Sequence, residues 1–590
     1  MMGAAGAASG SKTYVDDVFS TFLYDGSSSA QTITNGIDLS TEGGLVWLKS
    51  RTNAYNHALM DSERSWSGWL ETNSNNPSQG GTYISANTDG FTFSSGSLFF
   101  NGDPYDYTSW TFRKAPGFFD ICEWTGNSVS GRQIAHNLGS APGFIMVKSY
   151  VAGTGGTGWM CYHRSVGNTK AIRMDNGTAA TDASSAYWNN TDPTSTHFTV
   201  GNHEDINTTA NSRSYVAYVF AHDSQTFGTD SDEAIIKCGS YTGSSSTVNV
   251  NLGFEPQWVM VKASNFARGW IISDTMRGAF ATSNGRFLSA ENTDTEATAD
   301  IAMRPTSTGF SLPSSDERAN YSGVNYIYMA IRRPHKPPTA GTDVFFLKAS
   351  TENAANSLTP GFVPDFFIYT RPNETSFTAF ATRTRGKGNA LRPQDTAAED
   401  VDTNNNFFHW DAPTGTFKSE WFGGTTYFLR YLFKRAPGFM DIVVYNGTGS
   451  ARTVNHNLSA IPELVIEKKL NKRMRRVAAA LWDLGAVRAV PITPAPDPED
   501  DADQREEREN SYVLKYAAKV ADVESLIRRR HGDAAANAGA GDGAGAGDGA
   551  KDFAFEVSAP DESHYRLVGT DRTGAVDDAN ADVEARVGDT

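Results

Sequence analysis

Apolar and polar residues change places along this chain in short stretches, and the stretches return in one order about every hundred residues. Asn137-Leu138-Gly139-Ser140-Ala141-Pro142 leads into the apolar run 144–148, and Asn251-Leu252-Gly253-Phe254-Glu255-Pro256 leads into 258–262. His456-Asn457-Leu458 leads through Pro462 into 464–466, and weaker copies of the run stand at 44–49 and 364–369. Apolar runs of about five residues predict strands buried on both faces. Ahead of most runs an opening strand ends in an aromatic-x-Gly turn: Tyr24-Asp25-Gly26, Trp124-Thr125-Gly126, Tyr241-Thr242-Gly243 and Tyr445-Asn446-Gly447. Midway comes a turn and a phenylalanine, at Phe91, Phe198, Phe310 and Phe417, with separations of 107, 112 and 107 residues. Each copy closes on an aromatic strand at 107–112, 215–220, 326–331 or 428–433, where alternation as in Tyr218-Val219-Phe220 has the period of a strand.

A period this long is too large for a solenoid unit and about right for a small domain. Short strands with turn signals every ~8–12 residues, and no long helical period before residue 470, predict an all-β chain of tandem antiparallel β-sandwiches. The units are 14–113, 118–222, 234–333 and 343–435, with a fifth beginning at 439–470. The first four read as separate beads. Arg113-Lys114-Ala115-Pro116-Gly117-Phe118 returns as Lys434-Arg435-Ala436-Pro437-Gly438-Phe439, and a third joint is Arg332-Arg333-Pro334-His335-Lys336-Pro337-Pro338. Proline in these joints ends strands and stiffens the spacing.

Four of these stretches carry a resemblance: 14–20, the joint at 115–120, the His136-Asn137-Leu138-Gly139 turn, and the block 215–223. Over residues 14–468 the chain resembles repetitive tail-fibre or virion-appendage proteins of marine tailed bacteriophages. The resemblance implies concanavalin-like jelly-roll sandwiches, a virion location after assembly in the host cytoplasm, other tail proteins as partners and a homotrimer. It brings no catalytic residue with it.

Composition adds a boundary. Of the net charge of −16, about −12 falls in residues 491–590, where 23 Asp and Glu face 11 Lys and Arg. Residues 471–590 therefore read as an acidic, largely disordered tail. Within it, 534–550 is an Ala/Gly/Asp stretch, and 511–530 is a possible helix with Val513, Tyr516, Ala517, Val520, Val523 and Ile527 on one face. The tail is either a foreign segment or no longer in the frame of the repeats. No basic stripe suits a nucleic-acid backbone. No apolar run approaches a membrane span, and the Ala/Gly/Ser-rich residues 1–12 predict no signal peptide. Three cysteines (Cys122, Cys161, Cys238) without CxxC spacing read as buried apolar residues.

Candidate chemistry is sparse. Asp61 and Arg64 recur as Asp274 and Arg277, while the second unit has His163 and Val166 there. Each pair reads as a local ion pair or as a glycan contact. Trp66, Trp69, Trp159, Trp188 and Trp270 lie at or near predicted loops, where an indole face serves either the core or a stacked sugar. These nine residues are the candidate glycan contacts. His136 and His456 share a position that holds Val250 in the third unit, so they read as structural. The run 153–158 lacks the Lys-Ser/Thr of a phosphate loop. The acidic loops 202–205 and 294–296 lack calcium spacing. No metal or cofactor site is expected. The chain reads as a non-enzymatic appendage protein that binds host-surface glycans, with a polysaccharide depolymerase of the tailspike kind and a bacterial surface adhesin as alternatives.

Overall fold

The protein is described by a computed structural model. It covers residues 12–95, 97–151, 157–182, 184–278, 285–299, 303–313, 316–350, 358, 360–370, 378–385, 389–393, 400–401, 428–446, 450–451, 453–469, 477–478, 512–518, 554–561 and 564–570. The chain is nearly all β, with 44% strand and 5% helix. Its α-helices, among the described residues, are single turns at Leu39–Glu42 and Ser184–Trp188.

The repeated residues repeat as structure. In the first unit the opening strand Phe19–Asp25 and the apolar strand Gly44–Ser50 flank the closing strand Asp106–Arg113, and Ala58–Asp61 extends the sheet. The second strand, Gln31–Thr34, pairs with the phenylalanine strand Gly90–Phe93 in the facing sheet. First strand with last, and second with last but one, is the nesting expected when an antiparallel ribbon rolls into a sandwich. The second unit nests Phe119–Thr125 with Ser214–Phe220 and Arg132–Ala135 with His197–Val200. The third nests Ile236–Thr242 with Asn325–Arg332 and Val248–Asn251 with Gly309–Leu312.

The aromatic-x-Gly turn has a mechanical reason. Tyr24 stacks on Tyr107, Trp124 on Tyr215 and Tyr241 on Tyr326, at centroid distances of 5.3, 5.5 and 5.1 Å. The closing tyrosine donates its hydroxyl to the carbonyl of Leu98, Glu204 or Glu317 respectively. The turn glycine is pressed so close that a Cβ on Gly26, Gly126 or Gly243 would run into the carbonyl of Gly102, Thr208 or Tyr321.

The first three units are not separate beads, which corrects the sequence reading. Each larger sheet has two apolar faces. Val46 and Leu48 face the core of their own sandwich, while Leu45 and Trp47 join a second core shared by all three units. In the third unit Val259 and Val261 face inward, and Trp258 and Met260 join the shared core. Phe112 meets Phe220 at 5.5 Å and Trp258 at 6.3 Å, so the three closing sheets converge on one axis. The apolar runs are therefore buried on both faces, as expected, because neighbouring sandwiches cover the outer face.

The fourth unit repeats the sheet with Phe345–Ser350, Phe428–Phe433, Phe366–Thr370 and Thr378–Thr382. The fifth corrects part of the possible helix at 511–530, whose residues 519–530 lie outside the described residues. Met440–Asn446 and Leu464–Lys469 flank a closing strand drawn from Tyr512–Ala518, where the sequence suggested a helix. The segment is seven residues long and rich in aromatic and β-branched types, and pairing on both edges overrides a weak helical period. A hairpin of Ala554–Asp561 and His564–Thr570 follows. A short strand, Val477–Ala478, pairs with the other edge of Leu464–Lys469. The rest of the expected acidic disordered region, including the Ala/Gly/Asp stretch 534–550, lies outside the described residues.

Candidate functional site

Eight of the nine candidate glycan contacts are buried: Asp61, Arg64, Trp69, Trp159, Trp188, Trp270, Asp274 and Arg277 are between 0 and 8% exposed. They have no face to offer a sugar, and that role is withdrawn for them. The ninth, Trp66, is half-buried at a positive φ of 58° and packs against the core of the first unit.

Most of the eight instead close the three sandwiches into a ring, and they do so at equivalent positions. His57, Trp159 and Trp270 each begin or precede the fourth strand of a unit. The His57 Nε2 meets the Ser289 carbonyl at 3.0 Å, the Trp159 indole donates to Glu71 at 2.8 Å and the Trp270 indole to Arg173 at 2.9 Å. These bonds join first unit to third, second to first and third to second. Four residues on, Asp61 accepts from the Tyr218 hydroxyl at 2.7 Å, Asp274 from the Trp110 indole at 3.1 Å, and His163 Nε2 meets the Tyr328 carbonyl at 3.1 Å. Again each interface is used once. A backbone set completes the pattern, with Glu296 N–H donating to Arg51, Ser78 to Tyr150 and Ala180 to Ser264 at 2.8 to 3.0 Å.

The charges in this ring are held off water. Arg64 and Arg277 each bind their aspartate through backbone N–H and Nε, and give a terminal nitrogen to the carbonyl of Leu59 or Ile272. Lys49, Lys148 and Lys262 occupy one position at the end of the apolar run. Each is fully buried and reaches a carbonyl of the adjoining unit, at Thr293, Ser74 and Gly177. Burial pulls all three amines down to about 8. Burial also holds the His163 ring down to about 4 and His57 well below its usual range. Trp47 donates to His57 Nδ1 and the Ser165 amide to His163 Nδ1, so each ring is neutral with its proton on Nε2.

Trp188 packs edge-on against Tyr162, and Trp69 sits among Tyr83, Phe99 and Phe100, so both serve cores. His136 is buried, with Nε2 on the Thr194 carbonyl and Nδ1 accepting from Leu138, a turn lock that His456 repeats with Leu458. Cys122, Cys161 and Cys238 are free and buried. Among the described residues no group of three or more metal-ligating side chains converges, and no helix is long and apolar enough to cross a membrane.

A cavity lies where the third joint meets the fifth unit. It holds about 240 Å³ and is lined by Tyr14, Glu233, Arg332, His335, His456 and Asn457 among others. Arg332 binds Glu233 at 2.6 Å, and His335 Nε2 lies 3.1 Å from the same carboxylate. The His335 ring, with Arg332 assisting against burial, holds the Glu233 carboxyl below its usual range. Glu255 receives both arms of Arg435 at 2.8 and 2.7 Å, Arg333 at 3.1 Å and the Asn457 amide at 3.2 Å. Arg333 and Arg435 also reach Asp441, fixing the third unit against the fifth. The Asp16 carboxylate accepts from the backbone of His335 and Lys336 and so sets the joint. His335 is 7% exposed and packs edge-on against Tyr14; neither ring nitrogen makes a well-formed hydrogen bond, Nε2 having only the Glu233 carboxylate within ion-pair distance and Nδ1 no partner. A buried ring nitrogen without a partner, on the wall of a polar cavity, is a place for a ligand group or a bound water. The sequence reading took this joint only as a stiff basic spacer. Its run Arg332-Arg333-Pro334-His335 was the available signal, but the acids that answer it come from residues 233, 255 and 441.

Residues 15–334 match the model of a family described as a domain of unknown function (DUF7483). That span runs from the first turn of the first sandwich to the third joint, so the matched domain is the closed three-sandwich ring. No curated protein and no solved structure matches the chain.

Proposed function

We propose that this chain, which belongs to the DUF7483 family, is a non-enzymatic virion-appendage protein that binds host-surface glycans, with the cavity at the third joint as the contact point. The cavity carries the reading. It combines aromatic and proline faces, amide and imidazole donors, carboxylate acceptors and one buried nitrogen without a partner, a mixture that suits a polyhydroxyl ring. Its volume is below the ~300–1,000 Å³ of drug-sized pockets, which fits a single sugar residue of a longer chain. The ring of sandwiches supplies a rigid mount, and the resemblance of residues 14–468 to phage tail-fibre repeats supplies the setting, with other tail proteins as neighbours. Weak contacts of this kind act through many copies on one particle.

The depolymerase alternative needs a protonated carboxylic acid beside the scissile bond. Glu233 is held in the opposite sense, as a carboxylate. The test is titration calorimetry of the full chain with capsule or lipopolysaccharide from a susceptible host, with reducing-end release followed in parallel. We expect binding without product, weakened about tenfold or more by His335→Ala or Asn457→Ala at unchanged melting temperature. No binding by the folded chain would reject the cavity as a glycan site. Steady product growth lost on Glu233→Gln would establish the depolymerase instead.

A further inference from the structure

The cavity at the third joint has walls from two bodies. Glu233, Arg332 and His335 belong to the three-sandwich ring and its joint, and His456, Asn457 and Ser459 to the fifth unit. The matched family domain ends at residue 334, so no part of the second wall belongs to it. His335 brings a buried ring nitrogen without a partner to the first wall. On the second wall His456 departs from its counterpart: His136 is buried with Nε2 on the Thr194 carbonyl, whereas His456 is exposed. A ligand that fills about 240 Å³ between these groups touches both bodies.

The contact that holds the walls together uses other residues. Arg435 of the fifth unit gives both arms to Glu255, and Asp441 takes Arg333 at 3.1 Å. These four charges are between 1 and 7% exposed. The cost of stripping water from buried charges offsets much of their attraction, so such a contact is specific without being strong. Met440–Asn446 is the outer strand of its sheet, and Ile442, Val443 and Val444 stand across a narrow gap from Pro305, Thr306 and Ser307 of the third unit. Docking thus also covers a sheet edge.

We propose that ligand binding in the cavity and docking of the fifth unit on the third are one linked equilibrium. The ligand tightens the contact between the two bodies, and loosening the contact weakens the ligand. This linkage rests on the cavity being a glycan site and gives that site its regulation. A ligand held by both walls binds the docked state alone and draws the population toward it. Its apparent affinity falls in proportion to the docked fraction.

Two measurements on the full chain, with capsule or lipopolysaccharide from a susceptible host, test this. Hydrogen exchange at the Ile442, Val443 and Val444 amides, outside the cavity lining, should slow about tenfold when the glycan stands at about ten times its Kd. This arm uses the native chain and needs no variant. In calorimetry Asp441→Asn keeps an acceptor for the Asn457 amide but removes the charge that Arg333 grips, and should weaken binding about tenfold. Asp120→Asn is the same change in the second unit, where Asp120 takes the Asn137 amide, and should leave binding unchanged. Binding that leaves the 442–444 amides unaltered, or that Asp441→Asn does not weaken, would overturn the linkage and leave the glycan site standing. An equal loss in Asp120→Asn would do the same. No binding by the folded chain would overturn both.

Discussion

At the scale of single residues, the ring is held by groups that titrate far from their usual range. His163 is held down to about 4, below the ~6.5 of an unfolded chain. As pH falls from 6.5 toward 4, the unfolded state takes up a proton that the folded state refuses, so stability is lost across that window, by about 3 kcal/mol at pH 4. Chemical denaturation at pH 7 and pH 4.5 should show the loss, and His163→Gln, which keeps a donor for Tyr328 and does not titrate, should reduce it. The lysines act on the alkaline side. Lys49, Lys148 and Lys262 are pulled down to about 8 from ~10.4, so between those values the unfolded chain binds more protons and stability rises with pH. Burial raises the Tyr24 and Tyr241 hydroxyls well above 10, which reverses the trend there. Melting temperature should therefore climb from pH 8 to about 10 and then fall. A flat profile would mean that these amines are solvated.

At the scale of elements, the fifth sheet closes with Tyr512–Ala518, far along the chain from its partners at Met440–Asn446 and Leu464–Lys469. Hydrogen exchange should find the 512–518 amides protected to a degree comparable with Phe428–Phe433, the closing strand of the fourth unit. Exchange as fast as an unfolded peptide would return the segment to the tail. In the first three units strand identities were legible because they depend on local periodicity: their aromatic-x-Gly turns and apolar runs stand where the sequence places them, while Phe417 and Gly447 lie outside the described residues. Tyr512–Ala518 was not legible, because seven apolar-rich residues fit a helical face as well as a strand. Asp61 with Arg64 was legible as a pair, but Tyr218 lies 157 residues away and no spacing connects them. The cavity failed for the same reason, since Tyr14, Glu233, His335 and Asn457 meet only through the fold.

At the scale of the molecule, residues 14–334 form one body rather than three. Phe112, Phe220 and Trp258 belong to different sandwiches and to one core. Scanning calorimetry of the full chain should show this region melting in a single transition, with calorimetric and van't Hoff enthalpies in agreement. Phe112→Ala should cost about 3–5 kcal/mol and lower the whole transition. Three resolved transitions, with only one moved by Phe112→Ala, would restore independent beads.

A threefold body made from one chain differs from a homotrimer in what it allows. In a homotrimer one substitution appears at all three interfaces and must suit them all at once. Here the interfaces have already diverged: Asp61 meets a tyrosine, Asp274 a tryptophan, and the second unit uses His163 on a carbonyl. One corner is free to specialise, as Glu255 has in taking hold of Arg435, while the other two keep the body closed. Covalent linkage also removes the dependence of closure on concentration. The ring of residues 14–334 therefore stays assembled at any dilution of the chain.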